Sequence, residues 1–123
     1  MAASKELDSQ IEARARVWLV LGDKPVFGDG RARLLEAIRE AGSIKGGAAA
    51  LGMSYRYAWG HVNHIEKRLG IKVIERHAGG RRGGGSRLTD EAEQLLATYD
   101  KFRTSVEKDL AKAWRNAVKK SEA

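Results

Sequence analysis

Gly42-Ser43-Ile44-Lys45-Gly46-Gly47-Ala48-Ala49-Ala50-Leu51-Gly52-Met53-Ser54-Tyr55 decides how this chain folds. It reads as a short helix of small residues, a glycine turn, and a second helix opened by a serine cap. Helices that cross at a tight angle need small side chains where their backbones meet, and Gly47, Ala48 and Ala49 supply them. Gly52 takes the positive φ that a sharp corner demands without steric cost. Two helices joined in this way form a helix-turn-helix, which sets its second helix into the major groove of DNA.

Upstream, Val17-Trp18-Leu19-Val20-Leu21 and Pro25-Val26-Phe27 are β-prone runs on either side of Gly22-Asp23-Lys24, the pattern of a small hairpin. Residues 5–15 carry Leu7, Ile11 and Ala15 at spacing four, a weak helical pattern. Asp29 is the expected N-cap of a helix to residue 41, with Leu34, Leu35 and Ile38 as its buried stripe. Gly42 ends that helix, and a brief one follows over residues 44–51.

Downstream, a third helix is expected from Ser54 to Leu69, closed by Gly70. Residues 71–76 read as a strand, and Ser86-Arg87-Leu88 as its partner across a loop rich in glycine and arginine. Thr89 caps a final helix over residues 90–118 whose first turn is acidic, as the helix dipole favours. Residues 119–123 read as a disordered tail. The expected architecture is mainly α with a little β: an N-terminal segment at 1–15, a winged helix-turn-helix with a leading β-hairpin over 16–89, and a long C-terminal helix.

On a 3.6-residue period, Ala58, Val62, Ile65 and Leu69 share one stripe of the third helix and face the core. Opposite lie Arg56, Gly60, Asn63 and Lys67, with no acid and no bulky apolar group among them. Arginine forks to guanine and asparagine pairs bidentately with adenine in the major groove. Lys67 suits a phosphate, and Gly60 lets the helix approach the groove floor. Ser54, Tyr55, Tyr57 and His64 lie at the N-terminal half or the flanks, within reach of backbone phosphates. Trp59, with Tyr55, falls on the shoulder of the buried stripe and reads as structural. A merely solvated charged face is the bland alternative.

The stretch from Arg76 to Arg87, RHAGGRRGGGSR, holds four arginines, five glycines and no acid, which turns the balance toward DNA. Arg76, Arg81, Arg82 and Arg87 supply charge and minor-groove reach, and glycine allows close approach to phosphate. A nucleotide-binding loop would need a Gly-Lys-Ser/Thr sequence, which is missing here. The formal charge of +7 favours a polyanionic partner. No cysteine is present, so disulfides and thiolate metal sites are excluded. His61 and His64 sit three apart but lack a third metal ligand, and no nucleophile–base–carboxylate set is evident, so neither a metal nor an enzyme is expected. The start of the chain lacks a signal-peptide pattern, and residues 17–21 are too short to span a bilayer, so a cytoplasmic protein is expected.

The run GSIKGGAAALGMSYRYAWGHVNHIEKRLG, followed by GGRRGGGSRLT, resembles the DNA-binding domain of the molybdate-responsive ModE regulators over about residues 16 to 105. Trp59 after Ser-Tyr-x-x-Ala and the GG-x-x-GGG wing are the specific marks; the helix-turn-helix alone also resembles that of LysR-type regulators. The resemblance implies a homodimer on palindromic operators of double-stranded DNA. Its natural contact surface is the long helix, through Leu95, Tyr99, Phe102, Val106, Leu110 and Trp114. Full-length family members add C-terminal molybdate-binding modules. No residues here match that oxyanion site, so the likeness is to stand-alone members and no cofactor is expected. An architectural DNA binder driven by charge, or a sensor module that no longer touches DNA, are the competing functions.

Overall fold

The leading hairpin pairs Trp18–Leu21 (β1) with Lys24–Gly28 (β2), antiparallel, with Leu21 opposite Lys24 and a register shift between Leu19 and Val20. Gly22 and Asp23 both take positive φ, 56° and 68°. That is the conformation of a two-residue turn whose twist matches the flanking strands. The structure is a computed structural model and describes residues 10–77 and 85–122.

Three helices follow: Asp29–Ala41 (α1), Ile44–Ala50 (α2) and Tyr55–Leu69 (α3). Gly28, not Asp29, occupies the N-cap of α1 and makes no side-chain cap bond. The Asp29 carboxylate is instead drawn to the Tyr99 hydroxyl at 2.5 Å, while its charge still lies in the first turn, where the dipole favours it. Ser43 Oγ accepts from Gly46 N at 2.9 Å and Ser54 Oγ from Tyr57 N at 3.1 Å, so both expected serine caps form. Gly52, at φ 70°, turns the corner between α2 and α3.

The α1–α2 crossing depends on Gly47. A Cβ there would stand 2.7 Å from both the backbone nitrogen and Cγ1 of Ile38. Ala48 is buried beside it, whereas Ala49, also expected at the crossing, is exposed, because the seven-residue helix turns that position outward. Leu34, Leu35 and Ile38 of α1 are buried, as are Ala58, Val62 and Ile65 of α3. Phe27 completes this core, edge-on to Tyr99 at 5.2 Å.

The wing is the antiparallel pair Ile74–His77 (β3) and Gly85–Leu88 (β4), with Ile74 opposite Leu88 and His77 opposite Gly85. The strand expected from residue 71 starts later, because the backbone before it is engaged elsewhere. Glu66 accepts from Val73 N at 2.8 Å, and Thr89 donates from Oγ1 to Lys72 O and from N to Val73 O. Ser86 N donates to Gly42 O at 2.8 Å, which ties β4 to the α1–α2 corner. Thr89 Oγ1 also accepts from Ala92 N, capping Asp90–Glu122 (α4) as expected.

Helix α4 runs beyond residue 118 to Glu122, so residues 119–122 are helical rather than disordered; Ala123 lies outside the described residues. Lys119 and Lys120 in the last turn complement the dipole there.

The chain divides into two compact units, Trp18–Tyr99 and a second formed by residues up to Val17 with Asp100 onward. Within the second, residues 11–17 are not helical. Ile11 O accepts from Trp114 Nε1 at 3.1 Å and Ala15 O from Arg103 Nη2 at 3.0 Å. The first of these bonds takes the carbonyl that the helix expected over residues 5–15 would have offered to Ala15 N; Gln10 is helical, and residues 5–9 of that stretch lie outside the described residues. Among the described residues no helix is long and apolar enough to cross a membrane.

Candidate nucleic-acid interface

The capped start at Ser54 and the buried stripe fix the rotation of α3. With Ala58, Val62 and Ile65 turned inward, Arg56, Gly60 and Lys67 are exposed and Asn63 half-exposed. All four come together on one solvent-facing surface. Ser54 is exposed but its oxygen is engaged as the cap. Tyr55 and Trp59, expected to be structural, are 45% and 44% exposed. They occupy the flank of α3 beside the wing, outside the stripe that the core covers. Trp59, Asn63 and Arg76 border one open cleft of about 590 Å³.

A second open cleft, of about 540 Å³, is lined by Lys45, Tyr55, Arg76 and His77, among others. Lys45 was not singled out from the sequence, yet it faces this basic surface from the first turn of α2. Its signal was present: a lysine two residues after the serine cap of the helix that precedes the turn.

On the opposite flank of α3 lies a cluster that spacing alone did not disclose. Arg31 of α1 donates from Nε to His61 Nδ1 at 3.0 Å, and from Nη1 to Val26 O at 2.7 Å. The same Nη1 lies 2.8 Å from His64 Nδ1. Tyr57 stands edge-on to His61, with ring centroids 4.6 Å apart. Burial first, then the Arg31 charge, then His64, hold the His61 imidazole below its ordinary range. Partial burial, then Arg31, Arg68 and Lys24, do the same for His64. The unfolded chain therefore takes up these protons more readily than the folded one. Folding stability from this cluster is fully present above the ordinary histidine value of about 6.5 and declines as pH falls below it. Denaturant unfolding between about pH 7.5 and pH 5 is expected to show that loss, and His61→Gln should reduce its slope. An unchanged slope in that variant would place the protons elsewhere.

In the wing, Arg76 is exposed, and Arg87 pairs with Glu75 across the ladder at 2.9 Å. Both partners are largely exposed, so the pair contributes little and leaves Arg87 accessible. Arg81 and Arg82 lie outside the described residues.

Of the residues expected between subunits, Tyr99 is core, 4% exposed, packed on Phe27 and bonded to Asp29. Its place one helical turn after Leu95 hid a partner 70 residues away. Leu95, Val106, Leu110 and Trp114 are half-buried and Phe102 is 41% exposed. Leu110 and Trp114 face a groove of about 980 Å³ shared with residues 11–16. Among the described residues no group of three metal-ligating side chains is found.

Comparisons with known proteins identify the family and the fold. Residues 30–93 match the bacterial regulatory helix-turn-helix proteins of the lysR family. The transcriptional regulator ModE of Haemophilus influenzae is 43% identical over 70 residues, 57% of this chain and 28% of that protein. The molybdenum-pterin-binding protein MopA of Rhodobacter capsulatus is 36% identical over 86 residues, 70% of this chain and 32% of its own. The DNA-binding transcriptional dual regulator ModE of Escherichia coli K12 is 34% identical over 90 residues, 73% and 34%. The chain thus spans about a third of the length of these relatives. Among solved structures, the CbnR_DBD–DNA complex aligns with TM-score 0.54 at 19% identity, over 72% of this chain and 95% of that one. The likeness bears out the winged-helix fold. With the family match across α1, α2, α3 and the wing, the chain belongs to the lysR family of bacterial regulatory helix-turn-helix proteins and has ModE proteins among its relatives.

Proposed function

We propose that this chain is a sequence-specific DNA-binding transcription regulator, not an enzyme, that sets α3 in the major groove and its wing on the adjacent backbone or minor groove. The observation that carries this reading is the acid-free surface of Arg56, Gly60, Asn63 and Lys67, turned outward by the burial of the opposite stripe. The DNA-binding regulators among its relatives support it. On this reading the chain acts as a homodimer through α4, at a palindrome with half-sites about 10 bp apart or a multiple of that. DNA reading by this chain then requires no cofactor, and its place of work is the cytoplasm.

Arg56→Ala and Asn63→Ala are each expected to cost about 1–3 kcal/mol of discrimination at particular base positions. Competition binding with single-base variants of a duplex from genomic selection measures this. An equal loss on every sequence, with a steep salt slope and no preference for the selected duplex, favours an architectural binder driven by charge.

A further inference from the structure

The two rings held by Arg31 lie on the recognition helix, and His64 adjoins the exposed stripe of Gly60, Asn63 and Lys67. A guanidinium carries only donors and keeps its charge. Each imidazole nitrogen that meets Arg31 must therefore be an acceptor, and the ring's proton resides on the other nitrogen. Both contacts are made by Nδ1. His61 and His64 are thus both in the Nε2–H form, with Nε2 on the ring edge away from Arg31. The third Arg31 contact, to Val26 O, anchors the guanidinium to the middle of β2 and fixes its orientation. The charged groups acting on the rings are Arg31 from α1, Lys24 from β2 and Arg68 from α3 itself, all cations. They oppose a second proton on either imidazole.

We propose that Arg31 is a positioning residue for DNA binding: it fixes the His64 ring so that Nε2–H donates to a phosphate oxygen of the duplex. This rests on the DNA-reading function proposed above. The contact is made by a neutral donor whose direction is set from α1, so α1 contributes to the grip of α3 without touching DNA. Aromatic contact with Tyr57 holds the neighbouring His61 ring in the same cluster.

The test combines a spectroscopic and a binding measurement on the full chain. Two-bond ¹H–¹⁵N correlation at pH 7.5 should show His61 and His64 as neutral Nε2–H tautomers, and Arg31→Met should return His64 to a tautomer mixture. Glutamine places its amide nitrogen near the position of Nε2, and asparagine near that of Nδ1. His64→Gln should therefore bind the selected duplex within about threefold of wild type, and His64→Asn about tenfold more weakly, the worth of one hydrogen bond to a charged acceptor. Arg31→Met should weaken binding severalfold in the wild type and add nothing to His64→Asn, the signature of coupled residues. Thermal melts establish that each variant is folded. If Arg31→Met does not fold, the tautomer of wild type and the Gln/Asn pair still decide.

An Nδ1–H tautomer, equal affinities for the Gln and Asn variants, or an additive double-mutant cycle overturns the proposal. A wild-type chain that binds no duplex overturns the DNA-reading function and the phosphate contact with it. That failure is separate from the tautomer, which is read without DNA.

Discussion

Gly47→Val is expected to lower folding stability by about 3 kcal/mol or more, with a fall in melting temperature on the order of 10 °C. The group a new Cβ would strike is the Ile38 backbone as well as its side chain: nitrogen at 2.7 Å and Cα at 2.8 Å. Rotamer change cannot clear a backbone atom, so α2 must move off α1. That motion would disturb the Gly42 corner, to which β4 is bonded. Urea unfolding of the wild type, Gly47→Ala and Gly47→Val should give a loss that increases with side-chain size. A loss below about 0.5 kcal/mol for the valine variant would mean that the helices are not in contact at this point.

Phe27→Ala should cost a comparable or larger amount, about 3–5 kcal/mol. The ring is 2% exposed and stands edge-on to Tyr99, an arrangement whose stabilisation exceeds simple area burial. It joins the hairpin to the first turns of α4 within one core, and its removal leaves a cavity that the short β2 strand is poorly placed to fill. Phe27→Leu, which keeps most of the volume, should lose markedly less. Similar losses for the two variants in denaturant titrations would show that the ring's volume is not what matters.

Much of the site was legible because local rules and tertiary packing agree. Ser43 and Ser54 cap their helices as their sequence positions suggest, Gly52 turns the corner, and the 3.6-residue period separates the buried and exposed sides of α3. Legibility failed where partners lie far apart along the chain. Tyr99 follows the apolar period of α4, and nothing nearby announces Phe27 and Asp29 as its neighbours. Ile11 and Ala15 have helical spacing, but Trp114 and Arg103 take their carbonyls. Arg31 sits 30 and 33 residues from the histidines it holds, so neither sequence neighbourhood reveals the cluster. Trp59 and Tyr55 are a different case: both sit on the shoulder of the buried stripe, a position that reads as structural, and both are nearly half exposed.

The wing's two legs are fixed independently of what joins them. Glu66 holds the start of β3, the Gly42 carbonyl holds β4, and Thr89 closes the base against Val73. Each strand is thus moored to a different part of the fold, β3 to α3 and β4 to the α1–α2 corner, so a shift of α1 against α2 reaches the wing through β4 alone, and a shift of α3 through β3.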